Sequence, residues 1–143
     1  MPKMLYLLFV IVMIPAVLAG CTKSEPKENE QQMFKRIEQS LKEKGVPLSF
    51  VSKQESPTIL EGVVPNVYKV DLDQKVGFND RIEIYRFDSN EQLQKGLKNQ
   101  SYTVTLLSSH KNYIKENVLL VYFAANGKTD KYNDQINEVI ESL

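Results

Sequence analysis

Val118-Leu119-Leu120-Val121-Tyr122-Phe123, flanked by Asn117 and Ala124, is the stretch on which the fold turns. The run is uninterrupted and apolar, far too short to span a bilayer, and rich in β-branched and aromatic side chains. A strand with this pattern is covered on both faces and sits centrally in a sheet. Downstream, Asn126-Gly127 turns the chain into a helix from about Asp130 to Leu143. There Ile136, Val139, Ile140 and Leu143 recur at i, i+3, i+4 and i+7, the spacing of one buried stripe. Upstream, Tyr102 to Leu107 reads as a second strand, with the polar stretch His110 to Lys115 as the hairpin turn between the two.

Further back, Asp88 to about Asn99 is a short helix. Ser89 followed three residues later by Gln92 fits a capping box, and Leu93 with Leu97 gives the apolar side. Arg81 to Phe87 and Tyr68 to Leu72 alternate as half-buried strands and are expected to pair across the loop from Asp73 to Asp80. Residues 56–66 are interrupted by Pro57, Gly62 and Pro65 and read as a loop or irregular edge strand. Leu48 to Ser52 is a short strand. Asn29 to Lys44 is a helix with Phe34, Ile37 and Leu41 on one stripe, closed by a left-handed Gly45 and blocked by Pro47.

Strands and helices mixed with hairpins predict an α+β domain over residues 32–143. The expected form is two-layered: a mostly antiparallel sheet of four to five strands, helices on one face. The strand–helix–strand unit from Arg81 to Leu107 leaves room for one parallel pair.

The N-terminus has a different character. Lys3 precedes the uncharged apolar run that begins at Leu5 and contains Pro15, the order of a secretory signal. A spanning helix needs about 20 apolar residues and a charged stop, and this run has neither. It ends in Leu18-Ala19-Gly20-Cys21, which resembles the lipobox of bacterial lipoproteins: an aliphatic residue, two small residues, then cysteine. The resemblance implies a signal peptide over residues 1–20, cleavage between Gly20 and Cys21, and a diacylglyceryl group on the Cys21 thiol. Two acyl chains hold a protein stably on a membrane, where one does not. The implied location is the extracytoplasmic face of a cell membrane, with residues 21–31 as a polar tether lacking the apolar side chains to order itself.

Composition narrows function. Removing residues 1–20 takes away Lys3 and no acid, leaving 17 basic and 18 acidic groups in 123 residues. Balanced charge without basic runs gives no electrostatic footprint for nucleic acid. Cys21 is the sole cysteine, so the core alone must hold the fold.

Catalytic signatures are sparse. His110 is the only histidine and sits among serines, lysine and asparagine, where a solvated loop residue is expected. Asp71, Asp73 and Gly77 suggest a calcium loop but break its pattern, with Lys75, Val76 and Ile82 where an EF-hand needs a ligand, a glycine and a glutamate. Glu83, Arg86 and Asp88 read as charges on an open sheet face. No cofactor is expected, and no metal. Leu60, Val63 and Val64, in a segment made irregular by Gly62 and Pro65, form a possible contact patch. The leading expectation is a non-enzymatic, membrane-anchored domain binding a protein or other envelope component. A small-ligand-binding or sensing lipoprotein is the alternative, and an envelope hydrolase the third.

Overall fold

The computed structural model describes residues 29–51, 58–70, 80–102 and 109–143. Helix α1 (Glu30–Glu43) is capped by Asn29, whose side chain accepts from the Gln31 N–H. The helix therefore begins where the expectation from Asn29 places it, overlapping the last residues of the expected tether. It ends as Gly45 predicts: φ is +84°, Gly45 N–H donates to Lys42 O, and Val46 N–H reaches back to Leu41 O at 2.9 Å. That paired return is a Schellman closure, which a residue with a Cβ resists.

Five strands follow, with a helix after the third and another at the end: β1 (Leu48–Val51), β2 (Asn66–Val70), β3 (Arg81–Arg86), α2 (Asn90–Lys98), β4 (Ser109–Lys115), β5 (Val118–Ala124) and α3 (Asn133–Glu141). They form one sheet in the order β1-β2-β3-β5-β4, with every pair antiparallel. The fold is α+β with a five-stranded sheet, as expected. The pairing of β2 with β3 is the expected one, with Tyr68 opposite Ile82. β5, buried along nearly its whole length, lies between β3 and β4.

Three expectations are corrected. The turn before β5 is not His110 to Lys115: those residues are in β4, and Glu116-Asn117 alone reverse the chain, with Glu116 at φ +50°. The polarity that suggested a loop belongs to an edge strand, where charge discourages further pairing. The strand expected over Tyr102–Leu107 lies largely outside the described residues, and Tyr102 itself is in no strand. Among the described residues no parallel pair exists: β3 is flanked on its two edges by β2 and β5, both antiparallel to it.

The third correction concerns layers. Side chains alternate along a strand, so β3 sends Ile82 and Ile84 one way and Tyr85 the other. The first face packs under α1 and α3, in a core that includes Ile37, Leu41, Tyr68, Leu120, Tyr122 and Ile136. The opposite face holds a smaller core of Leu60, Tyr85, Phe87, Leu93, Leu119 and Val121, and Leu93 comes from α2. Helices thus cover both faces, α2 only in part. Gly96 makes that cover possible, since a Cβ there would lie 3.0 Å from the Phe87 ring. No helix among the described residues is long and apolar enough to cross a membrane.

Candidate functional site

Sequence neighbours do not build the site; the edge of the sheet does. Phe50, third residue of β1, pairs with Tyr68 of β2, and their rings meet edge-on with centroids 5.5 Å apart. Tyr68 is buried as the floor, and burial, with the Glu38 carboxylate second, pushes its phenol up to about 12. Phe50 stays 50% exposed. Phe34 of α1 forms the opposite wall, and Val64, 43% exposed, closes one end. The result is a groove of about 450 Å³ with an apolar middle and a rim of Glu30, Gln31, Lys35, Glu38 and Asn66. An apolar middle inside a ring of hydrogen-bonding and charged groups is the ordinary make-up of a binding surface.

The expected contact patch is divided by this geometry. Leu60 is only 3% exposed and belongs to the second core; Val63 packs partly against it; Val64 alone faces outward. The reason is a tight turn: Leu60 and Val63 exchange backbone hydrogen bonds, with Glu61 at φ +49° and Gly62 at φ +80° between them. Both central residues are left-handed, as a type I′ turn requires. α2 pins the turn, Asn99 donating to the Glu61 carboxylate at 2.6 Å and Gln92 to the Glu61 carbonyl at 3.1 Å.

The titratable residues separate in the same way. Asp88 is exposed, its backbone N–H donating to Gln92 Oε1 beside the Ser89 cap. Glu83, expected on an open face, is 2% exposed. It accepts from Tyr85 Oη at 2.6 Å and from Arg81 Nε at 3.0 Å, while the Arg81 guanidinium lies 4.0 Å over the Phe123 ring. Burial pushes the Glu83 carboxyl up, against the opposing pull of Tyr85 and Arg81. His110 is a strand residue packed edge-on to Tyr102 at 4.8 Å, and burial lowers its pKa. Its Nδ1 is buried with no hydrogen-bond partner among the described residues. It stands opposite Phe123, with β5 between it and the Glu83 strand, so it is not brought together with that carboxylate. Among the described residues no three His, Cys, Asp or Glu are grouped to hold a metal. The sequence-derived residues Gly20, Cys21, Asp71, Asp73 and Gly77 lie outside the described residues.

No family model, curated protein or solved structure matches this chain. The site is therefore read from its own residues. Sequence reasoning missed Phe50 and the burial of Glu83. A single strand shows that Phe50 alternates with its neighbours, but not that Phe34 of α1 and Tyr68 of β2 join it in one groove.

Proposed function

We propose that this is a membrane-anchored bacterial lipoprotein whose domain works by non-covalent binding of an envelope protein or other envelope component outside the cytoplasmic membrane. The observation that carries the binding reading is the groove between α1 and β1, where Phe50 and Val64 remain half-exposed above a buried aromatic floor. Burying such side chains against a partner supplies the non-directional part of the affinity, and the polar rim supplies orientation. The anchor reading is supported by the leader and by Leu18-Ala19-Gly20-Cys21. Only eight positions separate Cys21 from the α1 cap at Asn29. Such a link spans at most about 28 Å, so the groove, lined by the first turn of α1, works close to the bilayer.

A crosslinking capture from intact cells tests both halves. Cys21→Ala is expected to abolish acyl labelling and lipoprotein-type processing; unchanged labelling removes the anchor. Phe50→Ser is expected to leave the fold within about 1 kcal/mol of wild type, because the ring is half in water already. It should weaken capture by about thirty-fold, the worth of one central aromatic contact. Full capture by a folded Phe50→Ser protein rules the groove out as the contact surface.

One observation favours the small-ligand alternative: the groove volume lies in the range of about 300–1,000 Å³ typical of ligand sites. A small molecule that raises the melting temperature of wild type but not of Phe50→Ser selects that reading over a protein partner.

A further inference from the structure

Three oxygens follow one another on the second face of the sheet. Glu83 Oε2 lies 2.6 Å from Tyr85 Oη, and Tyr85 Oη lies 2.8 Å from the backbone carbonyl oxygen of Thr58. Both are hydrogen-bond distances, yet a tyrosine has one proton to donate. Tyr102 does not draw on that proton. Its own oxygen is already served, accepting from Gln100 Nε2 at 2.8 Å.

The count closes in one way. With Glu83 ionised, the charge-assisted bond to the carboxylate takes the Tyr85 proton, and the Thr58 carbonyl faces an oxygen lone pair. With Glu83 neutral, its O–H donates to Tyr85 Oη, and Tyr85 donates onward to Thr58. Every oxygen is then served. The Thr58 carbonyl is part-buried, so leaving it against an oxygen lone pair costs free energy, and the closed arrangement is the protonated one.

We infer that these groups form a proton-operated latch: a proton on Glu83 fastens the Thr58 end of segment 58–65 to the sheet, and its loss releases that end. The inference goes beyond the binding reading and does not depend on the lipid anchor. The released arm leads from Thr58 through the exposed Ile59 to the buried Leu60, so opening uncovers the second core beside Tyr85 and Phe87.

The surroundings allow both states. On β3, Arg81 favours the ionised form, but its side chain is 45% exposed and rests on Phe123, so neutralising Glu83 does not strand it. From β2, apolar Val67 stands opposite Glu83, and Lys69 stands opposite Arg81. From β5, the opposing residue is apolar Val121. From β4, Asn112 and His110 lie one strand further away, and from the chain after α2 come Gln100 and Tyr102. Burial is the strongest influence and holds the proton on Glu83 to higher pH than an exposed glutamate would.

Amide hydrogen exchange on the intact protein tests the latch. The probe is the Leu60 N–H, which donates to Val63 O, and the control is the Ile136 N–H, bonded to Tyr132 O in the α3 turn. Between about pH 4 and pH 9, the range spanning free and buried carboxyls, rates are corrected for intrinsic exchange. Leu60 protection is expected to fall about ten-fold with rising pH, the worth of one buried hydrogen bond, while Ile136 holds. Glu83→Gln, whose amide donates to Tyr85 as the neutral acid does, is expected to stay protected throughout. Tyr85→Phe is expected to be unprotected throughout. A pH-independent wild type overturns the latch, and so does an undiminished fall in Glu83→Gln. The wild-type titration needs no substitution, so it decides the matter even where a variant does not fold.

Discussion

Replacing Asp80 with alanine should destabilise the domain more than any surface change. Asp80 is 2% exposed at the entry to β3. Its Oδ2 accepts from Tyr122 Oη at 2.6 Å, and its Oδ1 accepts from the Ala125 N–H at 2.7 Å. The two bonds tie the start of β3 to the end of β5, beside the connection to α3. A hydrogen bond to a carboxylate contributes about 1.5–3 kcal/mol, which puts the loss of both at about 3–6 kcal/mol. Removing the carboxylate also removes its desolvation cost, and water entering the vacated space re-serves part of the need. The net loss is therefore placed near the lower end, at about 3 kcal/mol. For a domain of this size that is a fall of about 12 °C in melting temperature. Tyr122→Phe deletes one of the two donors and should cost about 1.5–2 kcal/mol. The pair shares an interaction, so the double variant should be less destabilised than the sum by about 1.5 kcal/mol. Urea unfolding of the four proteins measures the cycle. An Asp80→Ala loss below about 1 kcal/mol, or strict additivity with Tyr122→Phe, refutes the reasoning.

Two further outcomes follow from the second face. Gly96→Val drives a methyl-bearing Cβ into the Phe87 ring, 3.0 and 3.1 Å from two of its carbons, and toward Leu60. Its better helix propensity offsets little, so a loss of about 2 kcal/mol in urea unfolding is expected; a neutral result means α2 can shift away freely. For Glu83, the folded protein holds its proton more tightly than the unfolded chain, whose ordinary value is 4.5. Stability is then fully present at low pH and falls as pH rises above 4.5 through the raised folded value. Glu83→Gln should flatten that part of the unfolding profile, and an unchanged slope assigns it to another group.

Much of the fold is legible because periodicity and punctuation agree. α1 shows its stripe and its closing glycine, α3 its four-residue ladder of aliphatics, and β5 its unbroken apolar run. Ser89 caps α2 as expected, accepting from the Gln92 N–H at 3.2 Å, although Gln92 reaches back to the Asp88 N–H rather than to Ser89. What misled was polarity. Ser109 to Lys115 carries charge because it is an edge strand, and edge strands resemble loops when read alone. The turn at Glu61-Gly62 is hidden for another reason, since glutamate rarely occupies a left-handed position. Its anchorage to Gln92 and Asn99, more than thirty residues away, helps hold it there. The groove is hidden for a third: it joins Phe34 of α1 to Phe50 and Tyr68 of two different strands, a meeting that no local stretch of sequence shows.

The alternation along β3 explains why a buried glutamate is tolerated at all. Ile82 and Ile84 enter the larger core under α1 and α3, where the one described carboxylate site, Tyr122 Oη, is already engaged by Asp80. Glu83 and Tyr85 enter the smaller one, where Arg81, Tyr102 and the Thr58 carbonyl are at hand. A one-residue slip of β3 would exchange the two sets, burying Arg81, Glu83 and Tyr85 among Ile37, Leu41 and Ile136 while turning both isoleucines outward. Hydrophobic burial and charge desolvation oppose that slip together. The polar array therefore helps fix the register of the strand that carries it. Substituting Glu83 by leucine should relax that register even if it raises stability.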